Sequence, residues 1–144
     1  MNDDIPTLAP SAWVARFASL IPSGGQVLDL ACGRGRHARL LADMGFKVEA
    51  VDWNPERLAE LDNVPGVTTR LADLERGPWP YFSRAFEGIV VTNYLWRPLM
   101  PHLFNCLEPN GILIYETFMV GNERYGPPTS PAHLLRPGEL LDLL

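Results

Sequence analysis

The chain has little cysteine, a deficit of basic side chains, and no long apolar run. Two cysteines in 144 residues, Cys32 and Cys106, cannot build a disulfide framework, and no His/Cys pairing has metal-ligand spacing. Twelve Lys and Arg against seventeen Asp and Glu give a formal charge of −5. That balance excludes a protein whose affinity rests on clustered phosphate contacts, so no nucleic-acid partner is expected. It is mildly favourable for a cationic ligand. No stretch approaches the ~20 apolar residues of a membrane span. Met1-Asn2-Asp3-Asp4-Ile5-Pro6 lacks a basic region followed by an apolar one, so no secretory signal is read and a cytoplasmic setting is expected.

What is present is an ordinary globular composition, 47% hydrophobic and 20% charged. The length suits a single domain, residues 1–144, able to bury ~70% of its unfolded surface. Ser11 is a candidate N-cap for a helix over 11–21, in which Trp13, Val14, Phe17, Leu20 and Ile21 share a face. Val27–Ala31 reads as a strand buried on both faces, interrupted only by Asp29. A helix from Gly35 to Met44 follows, closed by Gly45.

Lys47–Val51 is the second strand. It ends at Asp52, and Asn54 and Pro55 are suited to cap a helix carrying Leu58 and Leu61. Val67–Ala72 is the third strand and Phe86–Thr92 the fourth. A helix over 98–107 precedes the turn Glu108-Pro109-Asn110-Gly111 and a fifth strand, Ile112–Phe118. A last helix is expected near Pro137. Strands alternating with helices imply an α/β fold with a parallel sheet and right-handed crossovers.

In such sheets ligands sit at the carboxyl ends of strands where the strand order reverses. Gly33 and Gly35, leaving the first strand, allow a tight turn and close backbone approach at a helix N-terminus. Asp52, 19 residues after Gly33, is placed to accept hydrogen bonds from the two ribose hydroxyls of an adenosine group. Asp73 with Leu74, ending the third strand, suits an adenine amino group and ring, and Trp53 is positioned to stack on that ring. Each has a plainer reading: a tight turn, a helix-capping acid, a solvated turn acid, a core aromatic.

Taken together, Val27-Leu28-Asp29-Leu30-Ala31-Cys32-Gly33-Arg34-Gly35-Arg36-His37, the pair Val51-Asp52 and the strand Gly88–Tyr94 resemble class I S-adenosylmethionine-dependent methyltransferases. The Cys-Gly-x-Gly-Arg form is similar to their small-molecule, tellurite-resistance-like branch. The resemblance implies a doubly wound, Rossmann-like sheet of order 3-2-1-4-5 and S-adenosylmethionine as cofactor. By it, Asp29 holds the methionine amino group, and Ala31, Gly33 and Gly35 form the turn along the methionine arm. Arg36 is either a partner of the cofactor carboxylate or a solvated helix arginine. Asp52 takes the ribose, Asp73 and Leu74 the adenine, and Asn93 lies below the sulfonium.

Tyr94 and His102 are the candidates for touching a small-molecule acceptor, with a packing histidine the plainer reading of His102. Cys32 at a helix start is read as a small turn residue rather than a nucleophile. Residues 117–126 are either part of an acceptor lid or a surface loop. The family's C-terminal hairpin is not found before Leu144. This implies either a shortened chain or a homodimer pairing through the exposed fifth strand.

Two other functions stay in view. One is a module that binds S-adenosylmethionine or S-adenosylhomocysteine without catalysis. The other is an NAD-binding protein, which needs two substitutions in the G-x-G-x-x-G fingerprint and leaves Asp29 without a task.

Overall fold

The computed structural model describes residues 9–143; the Met1–Pro6 segment read above and Leu144 lie outside the described residues. Five parallel strands, β1 (Gln26–Leu30), β2 (Lys47–Asp52), β3 (Val67–Leu71), β4 (Phe86–Thr92) and β5 (Leu107–Glu116), form one sheet ordered β3-β2-β1-β4-β5. The switch in strand order therefore falls between β1 and β4, whose carboxyl ends open a crevice for a ligand.

The helices are α1 (Ala12–Phe17), α2 (Arg36–Asp43), α3 (Pro55–Ala59), α4 (Met100–Asn105) and α5 (Glu139–Leu143). Ser11 Oγ caps α1 by accepting from the Trp13 and Val14 amides. Asn54 caps α3 with Pro55 at its first position. Both caps follow from short polar side chains that accept from the free first-turn N–H groups.

Side chains alternate across the sheet and build a core on each face. Val27, Val48, Ala50, Val90 and Ile114 pack with Val14, Ala18, Ala38 and Leu41 from the α1/α2 layer. Leu28, Leu30, Val51, Ile89 and Val91 face Leu99, Met100 and Leu103 of the α4 segment, with Trp79 and Tyr81 of the β3–β4 connection. Glu49 lies on this second face, where the Tyr81 hydroxyl (3.0 Å) and Arg84 (3.2 Å) satisfy it.

Several elements differ in extent from the sequence reading. The first helix stops at Phe17 and continues as a 3-10 turn, Ala18–Leu20. α3 ends at Ala59, leaving Leu61 buried beyond it. The last helix starts at Glu139 rather than near Pro137.

The largest difference concerns the Glu108–Gly111 turn, which lies inside β5. Phe86 pairs with Leu107 and Gly88 with Ile112, so residues 108–111 bulge out opposite Glu87 alone. Asn110 supplies the left-handed backbone that the excursion needs, at φ 68°. β5 ends at Glu116, two residues before the expected Phe118.

Candidate functional site

The carboxyl ends of β1, β2, β3 and β4 enclose a cavity of about 360 Å³. Its wall includes Ala31 and Gly33 after β1, Asp52 and Trp53 at the end of β2, Asp73 and Leu74 after β3, and Asn93 and Tyr94 after β4. Eight of the residues singled out in the sequence are thus brought to one cavity by four different strands.

The β1 turn has unusual backbone. Ala31 and Gly33 have left-handed φ values of 55° and 57°, and Asn93 mirrors them across the switch point at 55°. A left-handed alanine costs about 1 kcal/mol or more, and such residues concentrate where a backbone must serve a ligand. The turn is fixed from the next strand: Asp52 Oδ1 accepts the Gly33 amide (3.2 Å) and Oδ2 the Asn54 amide (3.1 Å). Asp52 therefore ties two loops together while its remaining lone pairs stay available on the cavity wall.

Asp73 plays a parallel part. Its Oδ1 accepts the amides of Glu75 and Arg76, each at 3.0 Å, which leaves Oδ2 for another donor.

Asp29 is not on the cavity wall but lies buried in β1, 1% exposed. Its Oδ2 is the one buried side-chain polar atom among the described residues without a hydrogen-bond partner. Burial pushes its carboxyl up to about 7, with the nearby Asp52 charge adding to the effect. An unsatisfied carboxylate oxygen here is the feature a bound ammonium group would resolve.

Gly35 and Arg36 have roles other than ligand contact. Gly35, at φ 84°, precedes α2, and a Cβ there would collide with the side chain of Leu61, so the glycine allows close packing. Arg36 Nη1 donates to the Ala9 carbonyl (3.0 Å), an alternative to the carboxylate pairing that the resemblance suggested. His102 lies on α4, stacked on Trp79 with ring centroids 5.5 Å apart and edge-on to Phe82. It is absent from the cavity wall, and its position corresponds to the packing reading.

Cys32 is half-buried beside Asp29 and Asp52; burial first, then both carboxylates, push its thiol well above the usual range. A thiolate is therefore disfavoured despite the helix start.

Four wall residues escaped the sequence reading: Arg57, Ala72, Glu75 and Arg76. Ala72 adjoins Asp73 and Glu75 adjoins Leu74, with Arg76 next to it, while Arg57 stands apart on α3. The run Asp73-x-Glu75-Arg76, an acid capping amides two and three residues on, is the signal that would have extended the site.

A second polar group borders the same strand ends. His37, buried under the amino end of α1, accepts the Ser11 amide at Nε2 (2.9 Å), and its Nδ1 lies 3.4 Å from Thr92 Oγ1. Burial, with Arg36 nearby, lowers its pKa to about 4, so the ring is neutral.

With this geometry the comparisons with known proteins can be read. The model of a methyltransferase domain matches residues 4–138. The chain belongs to this methyltransferase-domain family. Among curated relatives, a protein-L-isoaspartate O-methyltransferase from Chlorobaculum tepidum is 32% identical over 132 residues, covering 82% of this chain and 58% of that protein. Among solved structures, TehB from Haemophilus influenzae superposes with a TM-score of 0.78 at 24% identity, over 96% of this chain and 51% of that one, a likeness of fold. The glycopeptide N-methyltransferase MtfA, solved in complex with S-adenosylmethionine, matches with a TM-score of 0.57 at 25% identity, over 69% and 51% of the two chains.

The chain spans about half the length of the curated relatives it matches, for example 51% and 58%. Among the described residues no group of His, Cys, Asp and Glu is arranged to hold a metal ion. No described helix is long and apolar enough to cross a membrane.

Proposed function

We propose that this methyltransferase domain binds S-adenosylmethionine in the cavity at the switch point and transfers its methyl group to a small-molecule acceptor. The observation that carries the reading is Asp29: a buried carboxyl with an unsatisfied oxygen, one strand position from a left-handed turn that opens on the cavity. In this reading Asp29 holds the amino group, and the Ala31–Gly33 turn lines the methionine arm. Asp52 accepts the ribose hydroxyls, Asp73 Oδ2 accepts from the adenine amino group, and Leu74 and Trp53 flank the ring. Asn93, across the switch point, lies under the reacting end.

When bound, S-adenosylmethionine supplies a methyl group already activated on a sulfonium. The chain's own work is then alignment and exclusion of water, worth several kcal/mol through proximity and orientation. The wall carries three acids, Asp52, Asp73 and Glu75, against Arg57 and Arg76, a slight negative excess that is compatible with a cationic ligand. Tyr94 is a poor general base or proton acceptor. Burial first, then the Glu75 carboxylate, hold its phenol protonated far above neutral pH. His102 has no part in this reading.

A second copy pairing along the outer edge of β5, and a cytoplasmic setting, belong to the same proposal. Sedimentation and cell fractionation test them. Among the described residues β5 pairs only with β4 in the sheet, which supports a covering partner there.

The test is calorimetric titration with S-adenosylhomocysteine. Micromolar binding is expected, weakened at least 100-fold in Asp52→Ala, followed by methyl transfer from labelled S-adenosylmethionine to members of a small-molecule panel. Binding of NAD in place of S-adenosylhomocysteine would overturn the reading. Binding with no transfer to any acceptor would restrict it to a cofactor-binding module.

A further inference from the structure

We infer that Glu75 and Tyr94 form a strap across the nucleoside end of the cavity, and that Tyr94 works on the cofactor side as a positioning residue rather than on the acceptor. The inference rests on the cofactor reading above and deepens it.

Tyr94 follows β4 and Glu75 follows β3, and β2 and β1 stand between those two strands. With neighbouring strands about 4.8 Å apart, the two loops start roughly 14 Å from each other. Yet Tyr94 Oη donates to Glu75 Oε2 at 3.1 Å. Both residues line the cavity, so the bond bridges opposite walls.

Each end of the bridge is braced. Tyr115 Oη donates to the Tyr94 carbonyl at 2.7 Å, next to the left-handed Asn93, and fixes where the tyrosine leaves β4. On the far side Asp73 Oδ1 accepts the Glu75 amide, so the carboxylate springs from a capped turn. A phenol aimed this way crosses the ends of β1 and β2 toward Asp73 and Leu74. It points away from β5 and from the β4–β5 side left for an acceptor. The tyrosine ring thus covers the part of the cavity assigned to the nucleoside, and Glu75 sets its direction through the hydroxyl.

The distinguishing prediction is that the hydroxyl and the carboxylate matter only together. In titrations with S-adenosylhomocysteine, Tyr94→Phe and Glu75→Ala each weaken binding about fivefold, the scale of one net hydrogen bond. The effect falls on the dissociation rate. Glu75→Gln, whose amide oxygen still accepts from the phenol, stays within twofold of wild type. The double variant Tyr94→Phe/Glu75→Ala is no weaker than either single one, and urea midpoints of all four variants match wild type.

Additive losses, or single variants that bind like wild type, overturn the strap while leaving the cofactor reading intact. A wild-type chain that does not bind S-adenosylhomocysteine overturns the cofactor reading, and the strap falls with it.

Discussion

The two halves of the sheet's carboxyl edge are held in different ways. Beyond β1, β2 and β3, the loops are fixed by short polar side chains accepting nearby backbone amides: Asp52 from Gly33 and Asn54, Asn54 from Glu56 and Arg57, Asp73 from Glu75 and Arg76. Beyond β4 and β5, order comes from side chains that reach far along the chain. Arg97 donates to the carbonyls of Pro131, Ala132 and Leu134 and pairs with Glu139 through both Nε (2.7 Å) and Nη2 (2.9 Å). That contact draws the Glu139 carboxyl down to about 2. Ser11 reaches Glu116 across 105 positions. One half is preorganised by local turn chemistry, the other by a few long-range anchors.

The strongest way to break the first half is Gly35→Val. Its branched side chain must occupy the space of buried Leu61 at a left-handed φ, and a loss of about 4 kcal/mol is expected in urea unfolding. Arg97→Ala strikes the second half. It removes the two-pronged partner of buried Glu139, leaving it the Arg136 amide (2.9 Å) and Nη2 (3.4 Å), and should cost about 2 kcal/mol. The distinguishing readout is hydrogen exchange: the amides of 133–135 lose protection while Gly33 and Asn54 keep theirs.

A third prediction concerns pH. The Asp29 carboxyl sits at about 7 when folded against an ordinary 3.8. Between those values the folded chain retains a proton that the unfolded chain has lost. The contribution of Asp29 to the stability of the ligand-free protein therefore falls as pH rises through that window, by at most about 4 kcal/mol, while His37, lowered to about 4 from its ordinary 6.5, contributes an opposing rise between those values. Asp29→Asn should remove this fall, so that thermal melts from pH 4 to 7 show stability rising with pH more than in wild type, and should also abolish cofactor binding. A variant whose stability follows pH as the wild type does would refute this assignment. The smallest effect is expected for His102→Ala, which removes a ring stacked on Trp79. A loss of about 1 kcal/mol, with S-adenosylhomocysteine affinity within twofold of wild type, would separate this residue from the site.

The same contrast explains how much of the molecule was legible beforehand. The α3 cap at Asn54-Pro55 and the span of β4 depend on neighbours in sequence, the grouping of Asp52, Asp73 and the β1 turn follows from parallel strands whose ends lie side by side, and all were readable. Glu75 was missed because its importance comes from Tyr94, 19 positions away and three strands across. His102 was drawn toward the site by its place after β4. The face of α4 that carries it turns instead to Trp79, and periodicity over six helical residues is too short to reveal that. Arg36 is similar: its partner, the Ala9 carbonyl, lies 27 positions upstream.

The Arg97 anchor has a consequence for which substitutions its flank tolerates. Three of its four partners are main-chain carbonyls, which every amino acid possesses. The anchor itself thus makes no demand on the side chains at 131, 132 and 134, whereas Gly121 and Gly126, at φ 114° and 146°, still require glycine. Within the anchor, the side-chain requirement narrows to the arginine and the closing Glu139. The flank beyond β4 and β5 is thereby seated through main chain, independently of the carboxylate-capped turns beyond β1, β2 and β3.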